Sequence, residues 1–146
     1  MGNNILDVAL KEQKFKEAYD FGIKNGLIKH FDENFINEMK YIYINFINCS
    51  LYDYFKNGDN VGFCLDACNH ISEMFDEYEI YKGFLPAIRE TKHSPNGEHA
   101  WIISDGMIYD TSLLLIIDKK FSEKLGYEPH GLVNKKTIGK TNSNHS

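Results

Sequence analysis

Cys64, His99 and Asp110 are residues of the types, and in the chain order, that break acyl bonds. In such chemistry the nucleophile is the thiolate, and a free cysteine with a pKa of about 8.5 holds little of it at neutral pH. Two influences lower that value, a neighbouring histidinium and the positive end of a helix. An imidazole held in one tautomer by a carboxylate can take the thiol proton and later return it to a leaving group. Cys64 is therefore the candidate nucleophile, His99 the candidate acid and base, and Asp110 the group that holds the imidazole. The backbone N–H of Cys64 would donate to the oxyanion, with Asn60 as the candidate second donor and Asn57 next. This chemistry calls for no cofactor.

The stretch Glu98–Thr111 must position two of the three groups. Two β-branched and aromatic runs flank Asp105-Gly106, the strongest short-range hairpin signal in the chain. A two-residue turn there pairs Ser104 with Met107, Trp101 with Asp110 and His99 with Ser112. Alternation then puts His99, Trp101 and Asp110 on one face. His99 and Asp110 become diagonal cross-strand neighbours about 7–8 Å apart at the backbone. Trp101, beside His99, is expected to shield the imidazole from water and wall a substrate pocket, a placement that core packing would explain equally well.

The third group needs a helix start. Asn57-Gly58-Asp59-Asn60 carries turn chemistry, and after it Leu65, Cys68, Ile71, Met74 and Phe75 recur at helical spacing. That pattern predicts a helix beginning at or just before Cys64 and packing on the hairpin face that carries His99. Cys68 falls on its buried stripe, Cys49 is another core candidate, and His70 is expected at the surface. Around this centre the sequence predicts a helix over 3–22 ended by Asn25-Gly26, and a second over 33–55 with an aromatic core-facing stripe. A strand is predicted over Phe84–Ile88, a loop up to Glu98, a strand or short helix over Leu113–Ile117, and a helical turn over Phe121–Leu125. The expected organisation is a single α+β domain over 1–133, with a helical part over 1–57 and the reactive core over 58–133, followed by a polar, frayed tail over 134–146.

Gly62-x-Cys64, followed 35 residues later by His99-Ala100-Trp101 and then by Asp110-Thr111, resembles the transglutaminase-like branch of the papain-like cysteine enzymes. The resemblance covers roughly residues 58–115, with a similar segment at Phe121–Tyr127. It implies a Cys64–His99–Asp110 triad and a papain-like fold in which N-terminal helices and a cysteine-bearing helix pack on a small antiparallel sheet. Crosslinking members have Gln-Cys-Trp at the nucleophile, whereas this chain has Phe63-Cys64-Leu65. The implied activity is therefore hydrolysis or acyl transfer on a small amide, peptide or thioester.

Composition narrows the partners. The 146 residues carry a net charge of −5, and Arg89 is the single arginine among sixteen basic residues. With neither a basic field nor an arginine cluster, nucleic acid is not an expected partner. No apolar run is long enough for a membrane span, and the N-terminus lacks a secretory pattern. Three cysteines, an odd number, suit a reducing compartment, so the expected address is cytoplasmic. The expected partner is a peptide, protein or small acyl substrate. Two other readings compete. In one, Cys64 and Cys68, at i and i+4, join His70, His93 or His99 around zinc, although Cys-x3-Cys without a second paired motif is not a zinc signature. The other competitor is a non-catalytic binding or inhibitor protein working through its aromatic surface.

Overall fold

Asp105 and Gly106 have φ of +52° and +76°, the left-handed backbone of a type I′ hairpin turn. Glycine adopts it without strain and aspartate tolerates it. A computed structural model of the chain describes residues 5–42, 64–89 and 96–137, and at positions 39, 40, 42, 64 and 66 the backbone alone. Among these residues there are six strands: β1 (Ile28–His30), β2 (Tyr78–Phe84), β3 (Glu98–Ser104), β4 (Met107–Asp110), β5 (Leu115–Asp118) and β6 (Glu128–Lys136). They form one antiparallel sheet in the order β1-β5-β4-β3-β2-β6. The helices are α1 (Ile5–Ala9), α2 (Gln13–Lys24), α3 (Glu33–Ile42), α4 (Cys64–Ile71) and α5 (Ser122–Leu125), with 3-10 turns at Ser72–Met74, Pro86–Ile88 and Lys119–Phe121. The architecture is α+β, with helices on both faces of the sheet.

The turn sets the register expected of it, pairing Ser104 with Met107, Ile103 with Ile108 and Ile102 with Tyr109. The ladder ends there. Trp101 and His99 are not paired with Asp110 and Ser112, because the chain turns away through residues 111–114 and returns as β5, with Leu115 opposite Asp110. Of the Leu113–Ile117 run, Leu115–Ile117 is strand and Leu113 and Leu114 belong to the turn before it.

Strand alternation sorts the core into two layers. On one face Trp101, Ile108, Leu115 and Ile117 pack with Ile5, Leu6 and Ala9 of α1, Phe15 of α2 and Leu125 of α5. On the other, Ile80, Ala100 and Ile102 pack with Ile36 of α3 and Ala67, Cys68 and Ile71 of α4. Each large aliphatic side chain buried this way contributes about 1.5–3 kcal/mol. Helix α4 therefore covers the face of β3 opposite to Trp101, and the expectation that it packs on the face carrying His99 is corrected. The sequence showed which side of α4 is apolar but not which side of the sheet receives it.

Other expectations shift in position. The helix over 3–22 is two helices, broken at residues 10–12, where the Lys11 and Glu12 amides donate to Val8 and Ala9 carbonyls in tight turns. The break lets α1 meet the Pro86–Ile88 turn while α2 runs against β1 and α5. Gly26, at φ +75°, supplies the left-handed residue expected after α2. The strand expected over Phe84–Ile88 lies earlier, in β2, because Pro86 opens a 3-10 turn. Of the helix expected over 33–55, residues 33–42 are helical and the remainder lies outside the described residues, as do Cys49, His93 and residues 138–146.

The expected tail is also corrected, because residues 134–136 belong to β6. Every residue of β6 is exposed, so no alternation of burial marks it in the sequence. Pro129 is tolerated because the strand lies at the sheet edge, where Lys135, Lys136 and two register shifts against β2 also discourage pairing with a further chain. Among the described residues no helix is long and apolar enough to cross a membrane.

Candidate active site

Asp110 is the last residue of β4, and its carboxylate accepts four hydrogen bonds while wholly buried. Oδ1 takes the backbone N–H groups of Ser112, at 2.9 Å, and Leu113, at 2.8 Å. These bonds hold the 111–114 turn, which ends on Leu114 at φ +59°, a strained value for a branched side chain. Oδ2 lies 2.7 Å from His99 Nε2 and 2.5 Å from the hydroxyl of Tyr127. His99 and Asp110, placed on one face by the hairpin argument, are in direct contact at 3% and 0% exposure.

Burial by itself works against ionisation of Asp110. The charge of His99, its hydrogen bond, the Leu113 N–H and the Tyr127 hydroxyl outweigh that cost and hold the carboxyl below its ordinary range. An ionised carboxylate can only accept, so the hydrogen between Asp110 and His99 sits on Nε2. That fixes the tautomer: Nδ1 is the ring nitrogen that carries the lone pair of the neutral imidazole, and any proton exchanged with a substrate moves there. Burial, together with the neighbouring Asp110 charge and their hydrogen bond, pushes the Tyr127 phenol well above its ordinary pKa, so it remains a donor.

Tyr127 ends the Phe121–Tyr127 segment of the resemblance but was assigned no role from the sequence. It follows Gly126, whose φ of +101° caps α5, and nothing in its local context distinguishes it from a packed aromatic. Its position depends on Gly83, which sits opposite both His99 in β3 and Pro129 in β6. A Cβ at residue 83 would overlap the carbonyl oxygen of Glu128, one residue beyond Tyr127. Gly83→Ala is expected to push β6 outward and destabilise the fold by about 2 kcal/mol, as overpacking against backbone does. Urea denaturation checks this, and an unchanged midpoint would refute the close approach.

Trp101 is buried, with its ring centroid 5.9 Å from that of His99 and 5.0 Å edge-to-face from that of Tyr127. The two rings cover the imidazole. Both also line a cavity of about 160 Å³ with Tyr81, Ile108, Lys119 and Pro129. Trp101 also belongs to the first core layer.

Cys64 is the first residue of α4, and its side chain is not described. The direction of α4 follows from its neighbours. Cys68 Sγ lies 3.8 Å from Oγ1 of Thr111, the residue after Asp110. At the other end, Phe75 lies against Tyr109 at 4.7 Å between centroids, and the Glu77 carbonyl accepts from Ser104 beside the hairpin turn. Helix α4 thus runs from the His99–Asp110 end of the hairpin towards its turn, and the chain enters it at the end where the buried pair lies. Residue 64 shares the i, i+3, i+4, i+7 stripe with Ala67, Cys68 and Ile71, which face the sheet.

Cys68 is fully buried, as its place on the stripe predicted, while His70 is half-buried rather than at the surface. Among the described residues no three histidine, cysteine or acidic side chains gather as a metal site. Asn57 and Asn60, the candidate oxyanion donors, lie outside the described residues. No protein-family model matches the chain, and no characterised protein or solved structure matches it either.

Proposed function

We propose that this chain is a cysteine-nucleophile acyl-transfer enzyme, most simply a hydrolase of an amide or peptide bond, on a papain-like, transglutaminase-like core. One observation carries the reading: a His99–Asp110 pair, its carboxylate accepting four hydrogen bonds, lies buried at the end of the sheet where the helix headed by Cys64 begins. A helix start, a strand, a histidine on the next strand and an acid ending the one after it is the order expected of that family, and the sheet makes those strands neighbours.

In this mechanism His99 Nδ1 takes the proton of Cys64, and the thiolate adds to the carbonyl carbon of the substrate. As the tetrahedral intermediate collapses, the C–N bond breaks and the imidazolium returns its proton to the leaving amine. Water, deprotonated by His99, then attacks the thioester; the C–S bond breaks, the carboxylic acid leaves and the thiol is restored. Asp110 remains ionised throughout and stabilises the imidazolium. Helix α4 adds the partial positive charge of its N-terminus at the thiolate.

The test is trapping of the acyl intermediate. Purified protein is incubated with a panel of peptide esters and small aryl esters, quenched in acid and digested. The expected result is an acyl mass on the Cys64 peptide, absent in Cys64→Ala and strongly reduced in His99→Ala. Ester turnover that persists in Cys64→Ala would contradict the assignment.

A further inference from the structure

The geometry points to Tyr127 as a positioning residue that sets the basicity of His99 through the carboxylate oxygen they share, an inference that rests on the proposed acyl-transfer chemistry. Tyr127 Oη donates to Asp110 Oδ2 at 2.5 Å, and His99 Nε2 lies 2.7 Å from the same atom. The tyrosine is 4% exposed, so no water competes freely for its hydroxyl. A buried tyrosine hydroxyl needs a partner, and this one is aimed at the acceptor that serves the imidazole rather than at a backbone carbonyl. The high pKa of the phenol keeps it a donor across the working range.

Two donors on one oxygen divide its negative charge. With Tyr127 in place, less of that charge is available to the imidazolium, so His99 holds its extra proton less tightly. This matters for the proposed reaction, because the imidazole must accept the thiol proton and then release it to the leaving group. General acid–base catalysis is most effective when the pKa of the group lies near the working pH. Without Tyr127 the imidazolium would share the carboxylate with two backbone N–H groups alone and would hold its proton more tightly. Tyr127 thus offsets part of the stabilisation that Asp110 supplies.

Among the described residues, the other titratable groups around the pair are few. Tyr81 of β2 and Lys119 line the cavity that Tyr127 shares, Glu98 precedes His99 at the exposed start of β3, and Cys64 and Cys68 belong to α4. Among the described residues, His99 and Tyr127 are the titratable side chains that bond the Asp110 carboxylate. The Trp101 ring, edge-to-face with Tyr127 and tilted against His99, holds the two side chains in place.

The experiment follows the imidazole directly. His99 is titrated by NMR in the full chain, in Tyr127→Phe, and in protein with a fluorinated tyrosine placed at position 127 alone. Loss of the hydroxyl is expected to raise the imidazole pKa by about half to one unit, since a hydrogen bond to the neighbouring charge is removed. The fluorinated phenol, a stronger donor, is expected to lower it. Opposite signs support the inference, because packing does not distinguish the two replacements in that direction. An unchanged pKa in both, or shifts of the same sign, would overturn it. Should Tyr127→Phe fail to fold, the fluorinated protein alone decides by the sign of its shift. The readout requires no turnover, so failure of the acyl-transfer reading, seen as no acyl mass on Cys64, is separable from failure of this one.

Discussion

Asp110→Asn is expected to leave a folded protein about 3 kcal/mol less stable and with turnover reduced on the order of 10³–10⁴-fold. The loss follows from the donors around the side chain. If the amide oxygen stays on the Ser112 and Leu113 N–H groups, the amide nitrogen faces the Tyr127 hydroxyl and His99 Nε2, and it can donate to the ring only by driving it into the tautomer protonated at Nδ1. If the amide flips, the 111–114 turn loses its acceptor instead. Either orientation breaks or weakens buried, charge-assisted hydrogen bonds, at about 1–3 kcal/mol each. A domain of this size has about 5–15 kcal/mol in hand, so the variant still folds. Turnover falls further than stability because the imidazole loses the group that fixes its tautomer. Urea denaturation and acyl turnover together check both parts, and wild-type values in both would show that Asp110 orients nothing.

The same substitution has a pH signature. Asp110 ionises more readily in the folded chain than in the unfolded one. Its contribution is therefore complete above the ordinary aspartate pKa of about 4 and is lost as pH falls through the lower folded value. Asp110→Asn removes that contribution, so its stability should fall less steeply in acid than that of the wild type, narrowing the gap between them.

How far the site was legible in the sequence depends on how local each signal is. Asp105-Gly106 announced a turn whose φ values are those of a type I′ hairpin, and period-two alternation from that turn placed His99 and Asp110 side by side. Cys64 was legible as a helix start because four turn-forming residues lie just upstream and an apolar stripe follows. Tyr127 was not, because its role exists only once β6 has paired with β2, more than forty residues away in sequence. Strand β6 itself has no buried face to write an alternating pattern, and β1, three residues long, is too short to carry one. The face that α4 covers is a tertiary choice between two apolar surfaces, Trp101–Ile108 and Ala100–Ile102, and local spacing does not decide between them.

The second large effect concerns His99 and the thiol it would serve in the proposed enzyme. In that enzyme, an imidazolium beside Cys64 and the N-terminus of α4 would together hold the thiol largely as thiolate well below the ordinary thiol pKa. An ordinary cysteine loses about tenfold in thiolate for each pH unit below about 8.5. At pH 6 the difference amounts to a factor on the order of 10², reduced somewhat because a less basic thiolate is a weaker nucleophile. His99→Ala removes the imidazolium and leaves only the helix, so most of that factor should disappear. The buried Cys68 serves as an internal reference in the same digest.

The most direct measurement is therefore the rate of Cys64 alkylation by iodoacetamide from pH 5 to 9, resolved by peptide mass spectrometry, in the wild type and in His99→Ala. Cys64 acting as the nucleophile of the proposed enzyme predicts a wild-type rate that stays within a few-fold down to about pH 6, and a His99→Ala rate that falls about tenfold per unit. Rates that fall tenfold per unit in both proteins, with no difference between them, would contradict the enzyme and leave a binding protein built on the same fold.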